Sequence, residues 1–197
     1  MPDELDAPVL DQLFRTARTR NGWTEQPVSD AQIREIYELL KMGPTSGNCC
    51  PARFVWVRTD DGKAKLAAAA IDNNKAKILT APVTVIIGYD LAFADTLPKL
   101  FPARGEAMKA MFRDLHLAET TAFRNSSLQG AYLVVAARAI GLDCGPMSGF
   151  NHAVVDEEFF RGTRVKSNFI CSLGYGSDVN LYPRNPRLSF EEAGRLA

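Results

Sequence analysis

The chain has 197 residues, of which 46% are hydrophobic and 23% are charged. These fractions exclude a disordered or collagen-like chain, and the length predicts a single domain over residues 1–197. Lys and Arg total 23, as do Asp and Glu, so the formal net charge is zero and neither nucleic acid nor a membrane is an expected partner.

The N-terminal residues are acidic and lack the apolar stretch of a secretory signal. Apolar spacing then predicts a helix over 9–18 and a second helix over 31–42, with Ser29 or Asp30 as its N-cap. Further patterns predict strands over 53–58, 83–89 and 169–173, and helices over 62–70, 73–79, 117–140 and 156–160. The proline-containing segment 91–114 predicts short helices in a mobile excursion.

These elements alternate without a strict βαβ order, and no G-x-G-x-x-G motif follows a strand. The pattern therefore favours an α+β fold over a Rossmann fold. The segment 117–140 carries a broad apolar stripe that includes Leu128, Tyr132 and Val135. Such a stripe is typical of a core helix or of a helix that packs against another chain.

Cys49 and Cys50 are adjacent, whereas Cys144 and Cys171 are distant from them, and no C-x-x-C motif is present. This spacing predicts neither a metal site nor a disulfide framework, so we expect reduced thiols and a cytoplasmic protein. Cys49 or Cys50 as a nucleophile is an alternative to a structural role in a tight loop. The two histidines lack a nearby nucleophile motif, which gives a triad hydrolase little support.

Four segments carry unusual concentrations of polar or cationic groups. Each alone has an ordinary structural interpretation, as solvated arginines, a capped turn or a connecting loop. They are Arg18-Thr19-Arg20-Asn21-Gly22, the Gly43-Pro44-Thr45-Ser46-Gly47-Asn48 turn, the small-residue loop 144–150, and the proline-rich tail with Arg184 and Arg187. Arginine forks match phosphate oxygens, and a small-residue loop can approach a flat polar ring closely.

The order of these segments, with L-G-Y-G before the tail, resembles the nitroreductase family of flavin enzymes over about residues 8–190. The stretches ARTRNGW, GPTSGNCCPARFVWV, GLDCGPMSGF and NPRLSFEE are most similar to the malonic semialdehyde reductase branch, in pyrimidine catabolism. The resemblance implies an α+β homodimer with a central, mostly antiparallel sheet flanked by helices. It also implies exchange of the C-terminal tails and FMN at the subunit interface.

The resemblance further implies roles for individual residues. Arg18, Thr19 and Arg20 would hold the FMN phosphate and ribityl chain, and Arg184 and Arg187 would close on the phosphate. Asn74 and Lys77 would lie near the N1–O2 edge of the ring. The partner chain would contribute Pro44, Thr45, Ser46 and Asn48, while Pro146, Met147, Ser148 and Gly149 would lie against the N5 side.

Two positions depart from the pattern of many relatives. Arg20 stands where a small hydroxyl residue is usual, and Cys50-Pro51-Ala52 replaces Gln-Pro-Trp. The second change predicts a smaller or differently lined pocket.

The physical requirements of FMN agree with this assignment. Its phosphate carries about −1.5 to −2 charges, by analogy with phosphorylated side chains, so several cations must converge on it. The cofactor supplies the chemistry, so the resemblance implies ping-pong hydride transfer from NADH or NADPH through flavin N5, with no catalytic side chain. The expected acceptor is a small aldehyde such as malonic semialdehyde (3-oxopropanoate), and residues 91–114 are a candidate lid.

Three alternatives remain at this stage. One is a broad nitroreductase or quinone reductase. Another is a flavin-binding module without redox activity. The third sets the resemblance aside and takes the long apolar helix as the docking surface of a structural protein.

Overall fold

The computed structural model describes residues 3–197, and its centre is a four-stranded antiparallel sheet. In chain order the strands are β1 (Gly22–Trp23), β2 (Ala52–Val57), β3 (Val83–Asp90), β4 (Asp143–Met147), β5 (Val165–Gly174) and β6 (Gly176–Ser177). The central sheet has the order β2-β3-β5-β4, and β1 pairs with β6 in a separate two-stranded sheet. The predicted antiparallel α+β architecture is confirmed.

Helices cover both faces of the sheet, which explains why β3 is almost continuously apolar. The α-helices are α1 (Ala7–Leu10), α2 (Asp30–Leu40), α3 (Asp60–Ala69), α4 (Asp72–Thr80), α5 (Leu97–Leu100), α6 (Gly105–Met111), α7 (Leu115–Ala139), α8 (His152–Phe159) and α9 (Phe190–Ala193). A π-helical turn, Asp11–Arg15, continues α1, and 3-10 turns span Ser46–Asn48 and Phe93–Thr96. Ser29 caps α2 through a capping box with Gln32, as its sequence predicts.

Alternate residues of β3 enter two different cores. Val85 and Ile87 pack with buried residues of α2 and α7, including Leu40 and Leu133. Ile86 packs on the opposite face with residues of α3 and α8, such as Leu66. This alternation follows from the two-residue period of a β-strand, and it fixes the register of the sheet between its two helical layers.

Two predicted elements are wrong in type or position. The segment 144–150 was expected to be a loop, but its first part belongs to β4. Pro146 is tolerated there because β4 is an edge strand, where a residue without an N–H group need not break the sheet. Helix α8 begins at His152 rather than at 156, because the side chain of Asn151 accepts a hydrogen bond from the Val154 backbone N–H at 3.3 Å and caps the helix.

The long helix α7 exposes most of its apolar stripe and buries a mixed face of polar, small and apolar side chains. Asn125, Ser126 and Gln129 are buried, whereas Leu128 and Tyr132 are 45% and 40% exposed. Within a single chain the stripe is therefore not a core surface. Among the helices of residues 3–197, none combines the length and apolar character needed to cross a bilayer.

The segment 91–114 forms the 3-10 turn and the short helices α5 and α6, as predicted. Phe93 and Leu97 are fully buried and pack with Cys49 and Ala122 in a third apolar cluster. The base of the excursion is thus part of the folded core.

Candidate functional site

The chain forms a cleft whose lining is dominated by cations, and we call it the cationic cleft. Its volume is about 470 Å³, within the usual range of about 300–1,000 Å³ for small-molecule sites. It is lined by Phe14, Ala17, Arg18, Thr19, Asn21, Lys77, Arg138, Tyr182, Pro183, Arg184, Asn185 and Arg187. Within residues 3–197 no carboxylate belongs to this lining. A cluster of cations without acidic partners is suited to an anionic ligand.

Backbone contacts with β4 fix the N-terminal wall of the cleft. Thr19 forms a parallel bridge with Cys144, and the backbone N–H of Arg20 donates to the Cys144 carbonyl at 3.0 Å. Gly145 permits this approach, because a Cβ there would lie 2.7 Å from the Arg20 carbonyl oxygen. The segment after the first helix therefore covers the outer edge of β4.

The C-terminal tail is joined to the same wall by side-chain hydrogen bonds to backbone carbonyls. Asn21 Nδ2 donates to Asn180 at 2.7 Å, and Arg184 Nη2 donates to Ala17 at 2.8 Å. The guanidinium of Arg18 donates to the carbonyl of Tyr182. These contacts bring Arg184 and Arg187 beside Arg18 although they come from the opposite end of the chain.

Lys77 lies between the cationic cleft and a second group of predicted site residues. Its Nζ donates to Asn74 Oδ1 at 3.4 Å, and Asn74 Nδ2 donates to the Gly149 carbonyl at 3.1 Å. The backbone carbonyl of Lys77 accepts a hydrogen bond from Trp23 Nε1 at 3.2 Å, which anchors α4 to β1. Asn74, Lys77 and Gly149 therefore lie together.

The residues 146–149 alternate in exposure. Pro146 and Ser148 are exposed, whereas the Met147 side chain is buried in the core between the sheet and the helices α3 and α8. Gly149 packs so tightly that a Cβ would lie 2.5 Å from Ile71 Cδ1. Among these residues, the exposed Pro146 and Ser148 are the side chains available to a ligand.

The loop 44–50 lies elsewhere, and of the described residues of this loop none lines the cationic cleft. Pro44, Ser46 and Asn48 are exposed and Thr45 is half-buried. The backbone N–H of Ser46 donates to Asn125 Oδ1 at 2.8 Å, and Asn48 Nδ2 donates to the Leu100 carbonyl at 2.8 Å. The structure thus separates the four predicted residues of this loop from the predicted phosphate ligands of the same chain.

The backbone of this loop is strained. Asn48 and Cys50 have φ values of 53° and 38°, and Gly47 has a φ of 55°. Non-glycine residues at positive φ are uncommon and persist where surrounding contacts hold them, often at functional sites. Those contacts include the buried amide of Gln129, whose Oε1 accepts from the Ala52 backbone N–H at 2.9 Å.

Arg20 does not line the cationic cleft, unlike Arg18 and Thr19. Its guanidinium is 2.8 Å from Asp178 Oδ1 and 3.5 Å from Asp143 Oδ2. A pair of carboxylates therefore neutralises the charge that the resemblance assigned to the phosphate.

Arg138 lies in the last turn of α7 and also lines the cleft, although no sequence motif marks it. Its Nη1 donates to the Leu13 carbonyl at 2.9 Å, so the side chain also supports the first helix. The available signal was a lone cation on an otherwise apolar helix end. Asn125 and Gln129 were missed too, and their signal was two amides one helical turn apart in the middle of α7.

Cys49 and Cys50 differ in environment. Cys49 is fully buried, and burial raises the pKa of its thiol from 9.0 to about 11. The thiolate is the nucleophilic form of cysteine, so a nucleophilic role for Cys49 at neutral pH is unsupported. Cys50 is half-buried, and its Sγ is 3.6 Å from Thr45 Oγ1.

The structure is that of an α+β protein with a cleft lined by five cationic side chains. The chain matches the nitroreductase family over residues 15–175. A relative from Caulobacter sp. (strain K31), named "Putative NADH dehydrogenase/NAD(P)H nitroreductase", is 58% identical over 193 residues, or 98% of each chain. A relative from Ralstonia pickettii with the same name and the symbol HadB is 56% identical over 191 residues, covering 95% of this chain and 97% of its own.

Solved structures share the fold at low sequence identity. A protein from Bacillus subtilis described as a putative nitroreductase has a TM-score of 0.87 and 19% identity, over 98% of this chain and 100% of its own. Another so described, from Exiguobacterium sibiricum 255-15 and solved in complex with FMN, has a TM-score of 0.87 and 20% identity over 100% of both chains. The protein therefore belongs to the nitroreductase family.

Proposed function

We propose that the protein is an FMN-dependent NAD(P)H oxidoreductase. The main support is that five cationic side chains converge on one cleft, although the formal net charge of the chain is zero. They are Arg18, Lys77, Arg138, Arg184 and Arg187. The names of the relatives and the FMN-bound neighbour support the same cofactor and reductant.

The residues of the cationic cleft fit the phosphate end of FMN. That group carries about −1.5 to −2 charges and accepts hydrogen bonds at several oxygens. Arg18 and Arg184 each use one guanidinium nitrogen on a backbone carbonyl of the opposite wall, which leaves other N–H groups for a ligand. The hydroxyl of Thr19, which also lines the cleft, adds a further donor.

Lys77 and Asn74 would bind the N1–O2 edge of the flavin. Lys77 lines the cleft and is hydrogen-bonded to Asn74, so a ligand that extends from the phosphate towards Gly149 passes both side chains. An ammonium group at this edge would stabilise negative charge on the reduced ring. When bound, FMN supplies the chemistry of accepting and donating hydride. The protein's own contribution is to bind and orient the cofactor and to hold positive charge near it.

The test of this proposal is cofactor binding followed by turnover. We expect the purified protein to bind FMN with flavin absorbance, and to oxidise NADH or NADPH when an acceptor is present. Initial rates that give parallel double-reciprocal lines would support a ping-pong cycle at one site. A colourless protein that fails to bind added FMN would refute the proposal. Flavin binding without NAD(P)H oxidation with any acceptor would favour the non-catalytic binding module.

We propose that the active form is a homodimer in which the loop 44–50 of one copy completes the site of the other. Leu128 and Tyr132 of α7 and Met42, which follows α2, are exposed large apolar side chains next to this loop. Burying such surface is the main favourable term in stable association. This arrangement would bring Pro44, Thr45, Ser46 and Asn48 to a cleft that they do not reach within their own chain.

Exchange of the C-terminal tails would contribute to the same dimer. The two edge strands of the central sheet are β4 and β2. The segment around Thr19 and Arg20 already contacts the outer edge of β4, so the edge strand considered for the tail is β2. A groove beside β2 is lined by Ile33, Tyr37 and Trp56, and the tail presents Leu188 and Phe190 at 69% and 60% exposure. An extended segment can add to an exposed sheet edge in this way.

Truncation after Arg187 tests tail exchange, because it keeps Arg184 and Arg187. We expect the truncated chain to dissociate to monomers at a higher concentration than the full chain does, by sedimentation velocity. The double variant Leu188→Ala/Phe190→Ala is the matched control for length and should weaken the dimer in the same direction. An unchanged dimer in both variants would contradict tail exchange.

For the acceptor, we propose a small aldehyde such as malonic semialdehyde. The support is the similarity of four stretches to that branch and the small residues Cys50-Pro51-Ala52 beside the loop. The rival is a broad nitroreductase or quinone reductase. Comparing kcat/KM for 3-oxopropanoate, a nitroaromatic and a quinone decides between them, since the proposal requires the highest value for the aldehyde.

We also propose that residues 91–114 act as a lid over the acceptor. Met108 and Phe101 lie beside Gly47, where an added Cβ would be 2.3 Å from Met108 Cε and 3.8 Å from Phe101 Cδ1. The excursion is therefore packed against the loop assigned to the neighbouring site. Its exposed side chains would shape the acceptor pocket and leave the phosphate contacts alone.

A further inference from the structure

Arg20 forms an ion-pair and hydrogen-bond cluster outside the cationic cleft. Its Nη1 donates to Asp178 Oδ1 at 2.8 Å and to the Ser177 carbonyl at 3.3 Å. Its Nε lies 3.5 Å from Asp143 Oδ2, and its side chain is only 19% exposed. The guanidinium thus joins the segment after the first helix to β4 and to the residues that follow β5.

The partners of Arg20 lie where the chain leaves the folded core. Gly176 and Ser177 form β6, and Asp178 begins the irregular tail. The backbone N–H of Gly176 donates to the same Asp143 carboxylate at 3.0 Å. A Cβ on Gly176 would lie 2.4 Å from Arg20 Cγ, so the strand packs directly on the aliphatic part of the arginine. Arg20 therefore contacts three consecutive residues, 176–178, where β6 passes into the tail.

The tail has few other strong attachments. Residues 182–193 are mostly exposed, and hydrogen bonds through Asn21, Arg18 and Arg184 join the tail to residues 17–21. Exposed contacts of this kind contribute little each, because solvent competes for both partners. The Arg20 side chain is only 19% exposed and that of Asp143 is 32% exposed, whereas Asp178 is 88% exposed. The contacts of Arg20 with Asp143 and with the Ser177 carbonyl are therefore the shielded part of the cluster, and hydrogen bonds to charged groups are stronger when they are shielded from water.

We propose that Arg20 is a positioning residue that fixes the start of the C-terminal tail, so that Arg184 and Arg187 face the phosphate end of the cofactor. This proposal rests on the proposed FMN site for its functional consequence. Arg20 itself does not touch the phosphate, since Asp143 and Asp178 hold its guanidinium on the other side of the segment.

The experiment compares Arg20→Ala, Asp178→Asn and Asp143→Asn by two measurements. The first is hydrogen exchange of residues 176–181 in the cofactor-free protein, where the Gly176 and Leu181 N–H groups are hydrogen-bonded, with the amides of β3 and β5 as an internal check of folding. The second is the ratio of FMN affinity to riboflavin affinity by fluorescence titration. Riboflavin lacks the phosphate, so this ratio reports on the phosphate contacts alone.

We expect Arg20→Ala to accelerate exchange in the tail about tenfold and to lower the affinity ratio by a similar factor, as loss of a charge-assisted bond implies. Both Asn variants should move both measurements in the same direction. Arg187→Ala is the matched control, since it removes a cleft cation without touching the Arg20 cluster. It should lower the affinity ratio while exchange around 178–181 stays unchanged.

Direct phosphate binding by Arg20 gives a different result. The Asn variants would then release the guanidinium, and the affinity ratio would stay constant or rise, which would overturn the proposal. An equal loss of FMN and riboflavin affinity would also overturn it, as would unchanged tail exchange in Arg20→Ala. If Arg20→Ala accelerates exchange in the tail but the wild-type protein binds no FMN, the positioning role of Arg20 is supported and the proposed FMN site is refuted.

Discussion

The cationic cleft and the loop 44–50 carry the two halves of the proposed site, and they are built in opposite ways. The cleft is assembled within one chain, from segments at residues 18–20, 77 and 184–187 that hydrogen bonds hold together. The loop is a short continuous segment that does not line that cleft, and Pro44, Ser46 and Asn48 in it are exposed. This difference fits the proposed dimer, in which one chain organises the phosphate contacts and the loop of a second chain completes the site.

The physical origin of the difference is how each region is held. The cleft depends on long-range contacts between polar side chains and backbone carbonyls, such as that of Arg184 with Ala17. The loop depends on two buried amides of α7, which accept hydrogen bonds from the Ser46 and Ala52 backbone N–H groups on either side of Asn48 and Cys50. Changes in one region should therefore leave the other in place.

The largest expected effect is on the cleft. Replacing Arg18 with alanine should weaken FMN binding by about 1.5–3 kcal/mol, or about 10- to 150-fold in Kd, because a charge-assisted bond is lost. Flavin retention after dialysis and a fluorescence titration measure this loss. Arg161→Ala is the matched control, since Arg161 is exposed and pairs only with Glu157 on α8. Equal flavin retention in the two variants would contradict the role of Arg18.

The next effect concerns the support of the loop. Asn125→Ala removes the acceptor of the Ser46 N–H and should lower the free energy of unfolding by about 1–3 kcal/mol, because that donor is left unpaired. We also expect a lower kcat/KM for the acceptor. Urea denaturation and steady-state rates test both, with the exposed Arg124→Ala on the same helix as control. A stability loss with unchanged kcat/KM would limit the loop to a structural role.

A smaller effect is expected at the excursion that packs on the loop. Phe101→Ala enlarges the space beside Gly47 and should shift the ratio of kcat/KM between a bulky quinone and a small aldehyde about tenfold towards the quinone. The FMN titration should be unchanged. Lys99→Ala, an exposed change on α5, serves as the control. An unaltered ratio would argue against residues 91–114 as a lid.

The smallest effect separates the two adjacent cysteines. Because burial raises the pKa of Cys49 from 9.0 to about 11, the protonated thiol stabilises the folded state fully below pH 9. This contribution is lost as the pH rises through 11. We therefore expect the wild type to lose more stability than Cys49→Ala between pH 9 and pH 11, by urea midpoints. Parallel curves for the two proteins would show that Cys49 does not titrate in this way.

Much of the fold was predictable from local patterns. The period of the apolar residues gave β2, β3 and α7 within a few residues, and Ser29 marked the start of α2. The two errors, the missed strand β4 and the late start predicted for α8, each depend on a single residue. Pro146 argued against a strand over β4, because within a sheet proline is largely confined to edge strands. The order of the strands, which makes β4 an edge strand, cannot be read from the sequence. The cap formed by Asn151 was likewise missed.

The site was predicted less completely, since side-chain direction depends on partners far along the chain. The motif around Arg18 and the tail arginines indicated an anionic ligand. Nothing in that motif showed that Asp143 and Asp178 would hold Arg20, or that Arg138 would reach the cleft. The apolar stripe of α7 left open whether it faced the core or another chain, and the folded chain exposes it.

The sequence alone determined most of the secondary structure, the α+β class and the residue types that an anionic cofactor requires, because periodicity and side-chain chemistry are local properties. The antiparallel order of the sheet was expected only from the family resemblance. The tertiary structure decided which cations meet in the cleft, which one is neutralised and which loop stands apart. Those outcomes depend on distances between residues more than 100 positions apart in the chain, such as Arg18 and Tyr182, and only packing fixes such distances.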